Sequence, residues 1–237
     1  MGNILRFFLC AQAVFVLYSC DVLKGKINCE DILEKTYSNS SLNNFEKNKF
    51  KDLLDERYPK FDEMFEEASI ETNIEKNLLA AISFQESQWD PKAKSNMGVR
   101  GMMMVTLETA ALVGVEKRLN PEQNIKGGAK YFAMLQEKNK IGPTDPDKLS
   151  ITLASYNLGP TNIFNIANSI DKEIENVSWV EISEQLKTIK GSELNLTDKD
   201  NYTRGQQAID YVDRVKNYYQ LLSAHSCIAP RDQLIFF

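Results

Sequence analysis

The sequence predicts a mostly α-helical fold, and three observations support that prediction. Apolar residues recur at helical spacing in several segments, as at Leu78 and Ile82. Helix start signals occur as well: Asn120-Pro121-Glu122 combines a cap, a first-turn proline and a first-turn acid. No segment shows the clear alternation typical of a strand, so at most a small hairpin is expected. With 237 residues, 43% of them hydrophobic, the chain can bury one substantial core.

The N-terminus is typical of an export signal. Residues 1–19 have a short basic start and an apolar stretch of about a dozen residues, too short to span a membrane comfortably. Leu17-Tyr18-Ser19-Cys20 is similar to a bacterial lipobox, in which the cysteine is lipidated after cleavage. We therefore expect a signal peptide over 1–19, lipidation of Cys20 and a periplasmic, membrane-anchored protein. Ordinary cleavage or an uncleaved N-terminal anchor is the alternative.

The next segments are expected to be a tether and a helical extension. Residues 20–44 are polar and include TYSNSSLNN, which is typical of a tether. Residues 45–72 contain two amphipathic patterns separated by Pro59, which predict an N-terminal pair of helices. The main domain is expected over 73–224, with a C-terminal tail over 225–237.

Within the main domain, further helices are predicted after the one that contains Leu78. They run from Thr106 to Val113, from Asn120 to at least Leu135, from Leu149 to Leu158 and from Arg204 to Ala224. Residues 171–203 are polar and poorly patterned, so no element is predicted for most of that segment.

Glu86 lies where the first of these helices should be apolar. It follows Ile82 by four residues and precedes Trp89 by three, so it is expected to share their face. A carboxyl against an apolar wall has a raised pKa, because burial disfavours its charged form. Such a carboxyl is a general acid suited to a glycosidic oxygen. The alternative is a glutamate that bends out to solvent at the helix end, since Pro91 follows closely.

Composition and residue inventory exclude several function classes. The formal net charge is −5 and the basic residues are dispersed, so nucleic acid is excluded as a partner. The single histidine, His225, argues against a Ser-His-Asp triad or a His-rich metal site. Cys29 and Cys227 lack CxxC neighbours, and GVRGMMM lacks the ending of a phosphate-binding loop. We expect neither a metal nor a cofactor, which leaves acid–base catalysis by a carboxyl.

Most glycosidases place two carboxyls across the scissile bond, and two more acids lie near Glu86 in the sequence. Asp90 precedes Pro91, a position more typical of a cap or a turn. Glu108 falls in the first turn after Thr106, where an acid complements the helix dipole. Each could be a second catalytic group or a structural residue.

The segment from Glu86 to Met104 resembles the signature of the lytic transglycosylases with a goose-lysozyme-like catalytic domain, roughly E-S-x-x-x-P-x-A-x-S-x-x-G-x-x-G-L-M-Q. The residues in register are Glu86, Ser87, Pro91, Ala93, Ser95, Gly98, Gly101 and Met103. Two further family motifs follow in order: A-Y-N-x-G is matched by Tyr156, Asn157 and Gly159, and Y-V-x-x-V by Tyr211, Val212 and Val215. The resemblance covers roughly two thirds of the chain, from about residue 70 to about residue 222. Met104 stands where the family usually has Gln, and GVRGMMM is closer to the membrane-bound lytic murein transglycosylase F branch.

The resemblance implies a lysozyme-like helical catalytic domain that acts on peptidoglycan glycan strands in cell-wall remodelling. Glu86 would protonate the β-1,4 glycosidic oxygen between N-acetylmuramic acid (MurNAc) and N-acetylglucosamine (GlcNAc). The muramic N-acetyl group would assist at the anomeric carbon. Glu86 would then take the proton of that sugar's 6-hydroxyl, which closes a 1,6-anhydro ring. Because water is not the nucleophile, no second carboxylate would be needed.

The resemblance also implies a set of substrate-binding or orienting residues: Ser95, Met103, Tyr156, Asn157 and Tyr211. Ser95 could orient Glu86 or the N-acetyl group, or it could stabilise a turn. Tyr156 would stack on sugar and Asn157 would hydrogen-bond to it, although Tyr156 could instead belong to the core. Tyr211 could reach Glu86 with its hydroxyl or be a core tyrosine. The loop methionines are expected in the core or along the groove.

Cys29 and Cys227 flank the main domain. Chain ends often lie close together, and an exported compartment permits disulfides, so a bridge between them is allowed. Two unpaired cysteines are the alternative.

Two other functions stay open. A muramidase would use water, with Asp90 or Glu108 assisting Glu86. A peptidoglycan-binding protein without catalysis would keep the groove alone, but the presence of Glu86, Ser95 and Tyr156 together argues against it.

Overall fold

The computed structural model describes residues 28–188 and 203–227, and these form ten α-helices and two short 3-10 turns. The helices are α1 (Cys29–Asn39), α2 (Asn44–Glu56), α3 (Asp62–Thr72), α4 (Lys76–Ser87), α5 (Leu107–Val113), α6 (Pro121–Lys138), α7 (Asp145–Leu158), α8 (Pro160–Asn168), α9 (Trp179–Thr188) and α10 (Arg204–His225). The 3-10 turns are Tyr58–Lys60 and Ile174–Asn176. Over these ranges the extended pairing is limited to isolated bridges from Arg100 to Lys94 and to Val105. The prediction of a mostly helical fold is confirmed.

The long helix α10 organises the core. It packs against α4, α7, α1 and α9, so four helices bury apolar side chains on it. Its buried positions recur at helical spacing and include Ala208, Val212, Val215, Tyr219 and Leu222. Full burial of an aliphatic side chain contributes about 1.5–3 kcal/mol, so this stripe is a main source of stability.

The α3 helix is part of the same packed body. It lies against α6 and α4, and Phe65 and Ala68 are fully buried in the contact. Its acidic face is joined to lysines of α6, for example by Lys130 Nζ to Glu71 Oε1 at 2.8 Å. Exposed ion pairs contribute only about 0–1 kcal/mol each, so apolar burial dominates the attachment. The predicted extension over 45–72 is therefore helical, but α3 cannot be separated from the main domain.

The expected tether over 20–44 is wrong for the residues that the structure describes. Helix α1 occupies most of that part, and the Asn28 side chain caps it by accepting a hydrogen bond from the Glu30 N–H. Ile32 and Tyr37 are half-buried on the face toward α10. Beyond the helix, the Asn217 side chain accepts hydrogen bonds from Ser40 Oγ and Ser41 N at 2.8 and 3.0 Å. The sequence analysis missed α1 because its few apolar residues, such as Ile32 and Tyr37, lie among many polar ones.

A disulfide joins Cys29, at the start of α1, to Cys227, just beyond α10, with their Cα atoms 5.4 Å apart. The sequence allowed this pairing but did not decide it. It links the two ends of the described chain, which are 198 residues apart in sequence. A cross-link over so long a loop restricts the unfolded chain strongly and so favours the folded one.

Two helices differ in extent from the prediction. Helix α7 begins four residues before Leu149, because Thr144 caps it and Pro146 fits its first turn. Helix α9 lies in the segment for which no element was predicted, where Ile182 and Leu186 are fully buried.

The predicted signal peptide over 1–19, lipidation at Cys20 and residues 228–237 of the predicted tail lie outside the described residues. Within the described ranges, no helix combines the length and the apolar character needed to cross a bilayer.

Candidate active site

Glu86 lies in the last turn of α4, two residues after a run of buried residues from Leu78 to Phe84. The helix ends at Ser87, because Gln88 and Trp89 adopt left-handed backbone conformations with φ of 56° each. The sequence had suggested that Trp89 continues the apolar face of α4; because the helix ends before it, Trp89 does not. It folds back into the core, where its indole N–H donates to the Ala80 carbonyl at 2.9 Å.

The Glu86 residue is partly exposed, but its carboxyl is enclosed by protein. Burial raises the pKa of this carboxyl from its ordinary value to about 7, and a smaller opposing effect comes from the Tyr211 hydroxyl. The cause is the one expected from the sequence, since an apolar wall disfavours the charged form. At neutral pH the group is divided between its acid and carboxylate forms, so it can both give and take a proton.

Two tyrosines from different helices face the Glu86 carboxyl. Tyr211 of α10 and Tyr156 of α7 both have pKa values well above the ordinary value, chiefly because they are buried and next because of the Glu86 charge. The Tyr211 hydroxyl is buried and makes no hydrogen bond of standard geometry with any described residue. It lies close enough to Glu86 to lower the pKa of that carboxyl. Both roles that the sequence left open for Tyr211 therefore apply: it is a core residue whose hydroxyl reaches the acid.

The loop from Ala93 to Thr106 forms the side of the site opposite α4. Ser95 closes a turn in it, because its hydroxyl accepts a hydrogen bond from the Val99 N–H at 3.1 Å. In the described chain this hydroxyl makes no hydrogen bond to Glu86, which favours the turn-stabilising interpretation of Ser95. Gly98 and Gly101 have φ of +80° and +82°, a backbone region that residues other than glycine rarely adopt.

Buried polar side chains hold this loop against the helices. Ser83 and Ser87 of α4 both donate to the Met102 carbonyl, at 3.2 and 2.9 Å. Asn124 of α6 is fully buried; its Oδ1 accepts from Met103 N at 2.7 Å and its Nδ2 donates to the carbonyls of Arg100 and Arg118. A buried polar group is stable only when its hydrogen bonds are satisfied, so these contacts fix the loop.

The sequence analysis missed Asn124 and Ser83 as site-shaping residues. The available signal was a polar side chain within a buried stretch: Asn124 lies beside Ile125, and Ser83 lies between Ile82 and Phe84.

The Met103 side chain, expected to bind or orient substrate, does not line the cavity beside Tyr156. The side chain is fully buried, and it packs so closely on Gly128 of α6 that any larger residue there would overlap it. Its main chain is what shapes the site, since its carbonyl accepts a hydrogen bond from the Tyr156 hydroxyl at 2.8 Å. Met104, with φ of +46°, is partly exposed and lines the groove.

A cavity of about 450 Å³ opens beside Tyr156, and we call it the catalytic cavity. Its lining includes Met104, Tyr131, Tyr156, Asn157 and Thr161. The Asn157 Oδ1 atom is buried and has no hydrogen-bond partner within the described residues. An unsatisfied buried acceptor beside an open cavity is suited to a donor on a ligand. Tyr156 contributes half-buried ring surface, tilted against Tyr131 at 5.6 Å between centroids.

The two other candidate carboxyls lie in a turn and at the start of a helix. Asp90 closes a turn, with its Oδ1 accepting from the Lys92 N–H at 2.9 Å. Glu108 is exposed in the first turn of α5, whose N-cap is Thr106. It does line the catalytic cavity, where its charge adds to the effect of burial in raising the pKa of Tyr131.

His225 bonds to the Tyr37 hydroxyl at 2.9 Å, away from Glu86. Over residues 28–188 and 203–227, no three His, Cys, Asp or Glu side chains are grouped so that they could hold a metal ion.

Residues 63–178 match the family model described as the transglycosylase SLT domain. Membrane-bound lytic murein transglycosylase F 2 of Alkalilimnicola ehrlichii is 37% identical over 172 residues, which cover 71% of this chain and 38% of that protein. Membrane-bound lytic murein transglycosylase F of Aeromonas hydrophila is 40% identical over 167 residues, covering 69% of this chain and 33% of that protein. The chain thus spans between about a third and two fifths of these curated relatives.

Two solved structures share the fold. An inactive mutant of lytic transglycosylase Slt from Pseudomonas aeruginosa superposes with a TM-score of 0.54 at 18% identity, over 75% of this chain and 26% of that one. The 70 kDa soluble lytic transglycosylase of Escherichia coli gives 0.51 at 22% identity, over 72% of this chain and 25% of that one. The lysozyme-like helical fold predicted from the sequence is confirmed.

Proposed function

Because residues 63–178 form a transglycosylase SLT domain, we propose that the protein is a peptidoglycan lytic transglycosylase. It cleaves the β-1,4 bond between MurNAc and GlcNAc, forms 1,6-anhydro-MurNAc and serves cell-wall remodelling. The observation that carries the proposal is the environment of Glu86: its buried carboxyl has a pKa of about 7 and interacts with Tyr211 and Tyr156, and Tyr156 lines an open cavity.

The first step needs an acid. A Glu86 carboxyl with a pKa near 7 is about half protonated at neutral pH and can donate to the glycosidic oxygen as the bond breaks. The leaving GlcNAc takes this proton. The muramic N-acetyl oxygen attacks the anomeric carbon of its own sugar, so positive charge there is compensated without a carboxylate from the protein.

The second step needs a base at the same place. Glu86, now a carboxylate, accepts the proton of the muramic 6-hydroxyl, and that oxygen replaces the N-acetyl oxygen on the anomeric carbon. The 1,6-anhydro ring closes, Glu86 returns to its acid form and no water is consumed. The Tyr211 hydroxyl faces Glu86 and supports the carboxylate form between the two steps.

The remaining site residues position the sugar. The unpaired Asn157 Oδ1 accepts a hydrogen bond from the N-acetyl N–H or a sugar hydroxyl, and the Tyr156 ring packs on a sugar face. Ser95 and the main chain of Met103 act through the loop, which they hold in shape. Glu86 is the single catalytic residue in this proposal.

A muramidase that uses water is the second candidate function, because Glu108 lines the catalytic cavity. An inverting pathway requires a second carboxylate at ~6.5–9.5 Å to activate water. The turn made by Asp90 and the exposed, first-turn position of Glu108 do not favour either residue for that task.

We also propose that the protein is exported and anchored in the bacterial envelope. The signal sequence over 1–19 directs export, Cys20 carries the lipid and the catalytic domain lies within 73–224. The relatives cited above are named membrane-bound proteins, which supports an envelope location.

The proposal is tested by incubating purified murein with the protein and with a Glu86→Gln variant. The amide cannot donate a proton as an acid, so release of soluble fragments should fall by about 10²–10⁴-fold. Circular dichroism and thermal unfolding establish that the variant keeps its fold. Fragment release by the variant at a rate near that of the wild type would exclude Glu86 as the acid.

A further inference from the structure

A separate cavity, of about 300 Å³, lies between the start of α2, the end of α4 and the middle of α10, and we call it the rear cavity. It shares no lining residue with the catalytic cavity. Phe84 lines the rear cavity and precedes Glu86 by two residues, so the two side chains point about 200° apart around α4. The rear cavity is therefore turned away from the catalytic carboxyl, and the mechanism above does not use it.

One wall of the rear cavity is formed by α2, which precedes the residues that match the family model, 63–178. The fully buried Phe50 of α2 packs edge-on against Phe84, with 5.0 Å between the ring centroids. The Arg57 guanidinium, just beyond α2, donates to the Gln88 carbonyl at 3.0 Å. These contacts fix α2 on α4, so the rear cavity is preformed, and it requires a helix that the matched domain does not contain.

The main charged groups of the rear cavity are paired with each other. Glu46 Oε1 lies 3.0 Å from Arg214 Nε, and the other carboxylate oxygen accepts from the Asn43 N–H at 3.0 Å. Lys49 Nζ lies 5.9 Å from the centroid of the Phe45 ring and adds donors that hydroxyl oxygens can accept. Because the carboxylate and the guanidinium already neutralise each other, the rear cavity favours a neutral ligand over a strongly charged one.

The neutral polar groups of the rear cavity, in contrast, are available. Gln85 and Gln88 are partly exposed, and their side-chain amides make no hydrogen bond with any residue that the structure describes. Each amide offers two donors on nitrogen and an acceptor on oxygen. The Phe45 ring at the rim is 74% exposed. Free amides beside an open aromatic face are complementary to a pyranose sugar, whose hydroxyls form hydrogen bonds and whose C–H face packs on a ring.

We propose that the rear cavity is a second, non-catalytic binding site for an uncharged N-acetylated sugar unit of the murein glycan, an identity that rests on the proposed function. The C–H face of the sugar packs on Phe45, and the Gln85 and Gln88 amides bind its hydroxyl and N-acetyl groups. Murein is a polymer with many such units. A protein that holds sugar on both sides of α4 stays at high effective concentration on the network while its catalytic cavity is emptied after each cleavage.

The test is a titration followed by nuclear magnetic resonance, with 15N-labelled Glu86→Gln protein and chitotriose, a soluble trimer of N-acetylglucosamine, as the probe. The glutamine at position 86 prevents turnover during the measurement. The side-chain amide signals of Gln85 and Gln88 report on the rear cavity, and that of Asn157 reports on the catalytic cavity. Each cavity therefore gives its own dissociation constant for the probe.

The titration is repeated with Phe45→Ala, which removes the aromatic surface from the rear cavity, and with Ile70→Ala as the control. Ile70 is 75% exposed, close to the value for Phe45, and lines neither cavity. In Phe45→Ala we expect the dissociation constant measured at Gln85 and Gln88 to rise by about 3- to 10-fold, because the ring provides the packing surface for the sugar. The constant measured at Asn157 should stay the same, and Ile70→Ala should change neither.

Gln85 and Gln88 signals that do not move with chitotriose, or that titrate equally in Phe45→Ala, would overturn the inference. Either result leaves the proposed function intact, because that function is decided by fragment release from murein by the wild type. A wild type that releases no fragment would remove the proposed function, whereas the titration would still decide whether the rear cavity binds the sugar.

Discussion

The hydroxyl of Tyr156 on α7 donates a 2.8 Å hydrogen bond to the main-chain carbonyl of Met103, in the loop that borders the active site. The Met103 N–H donates to Asn124 of α6. The Met102 carbonyl accepts from Ser83 and Ser87 of α4. Three helices therefore fix one short segment of main chain beside Ser87 and Tyr156. The loop acts as a rigid wall of the site, and its glycines should be sensitive to substitution wherever the packing is tight.

Gly98 and Gly101 provide a matched pair to test that rigidity. Both have positive φ, so alanine at either costs about 1–2 kcal/mol of backbone strain. A side chain at Gly98 would meet open space, whereas one at Gly101 would overlap the Arg118 carbonyl and the Asn124 amide. We expect Gly98→Ala to lower the free energy of unfolding by the backbone strain alone. Gly101→Ala should lower it by about 3 kcal/mol or more, because the overlap adds to the strain. Urea unfolding measures both, and equal losses would contradict the packed-wall description.

The interaction of Tyr211 with Glu86 predicts a pH effect with a definite sign. The reaction needs protonated Glu86, so kcat/KM should fall as pH rises through the pKa of about 7. The Tyr211 hydroxyl stabilises the carboxylate and lowers that pKa; in Tyr211→Phe the alkaline limb should therefore move to higher pH. Tyr218→Phe is the control, because Tyr218 lies on the same helix and packs on Phe50 and Phe84 instead. A limb that stays in place or moves to lower pH in Tyr211→Phe would contradict this role.

Lipidation at Cys20 predicts how the protein distributes between cell fractions. Replacing Cys20 with Ala should move it from the membrane fraction to the soluble periplasm, because firm anchoring requires acyl chains. Cys10→Ala is the control, since Cys10 is removed with the signal peptide in this proposal. Fractionation and the mass of the mature N-terminus provide the measurement. Unchanged membrane association without a lipid mass would favour an uncleaved helix or peripheral attachment.

The parts of the fold that the sequence predicted are those set by local patterns. Helices α5 and α6 were located because Thr106, Gly114 and Asn120 are cap residues whose effect is confined to one turn. Helix α1 was missed because its apolar stripe is short and lies among polar residues. It is stabilised by distant partners, namely α10 and the disulfide to Cys227.

Within the candidate site, the catalytic acid could be predicted from the sequence, but the residues that hold the loop in place could not. Glu86 could be singled out because a carboxyl on the apolar face of a helix is expected to be buried, and burial raises its pKa. The backbone path of the loop could not, because Met104 has a positive φ, a conformation that methionine rarely adopts. Asn124 becomes important only when tertiary packing brings the loop within 2.7 Å of it.

The measurement that tests the account most directly is mass spectrometry of the products released from purified murein, made with the wild type and with Asp90→Asn and Glu108→Gln. An internal 6-hydroxyl nucleophile makes a second carboxylate unnecessary. We therefore predict products that end in 1,6-anhydromuramic acid, one water lighter than hydrolysis products, with most activity retained in both variants. Products that end in reducing muramic acid, together with loss of activity in the Asp90 or Glu108 variant, would contradict the transglycosylase mechanism and favour a muramidase.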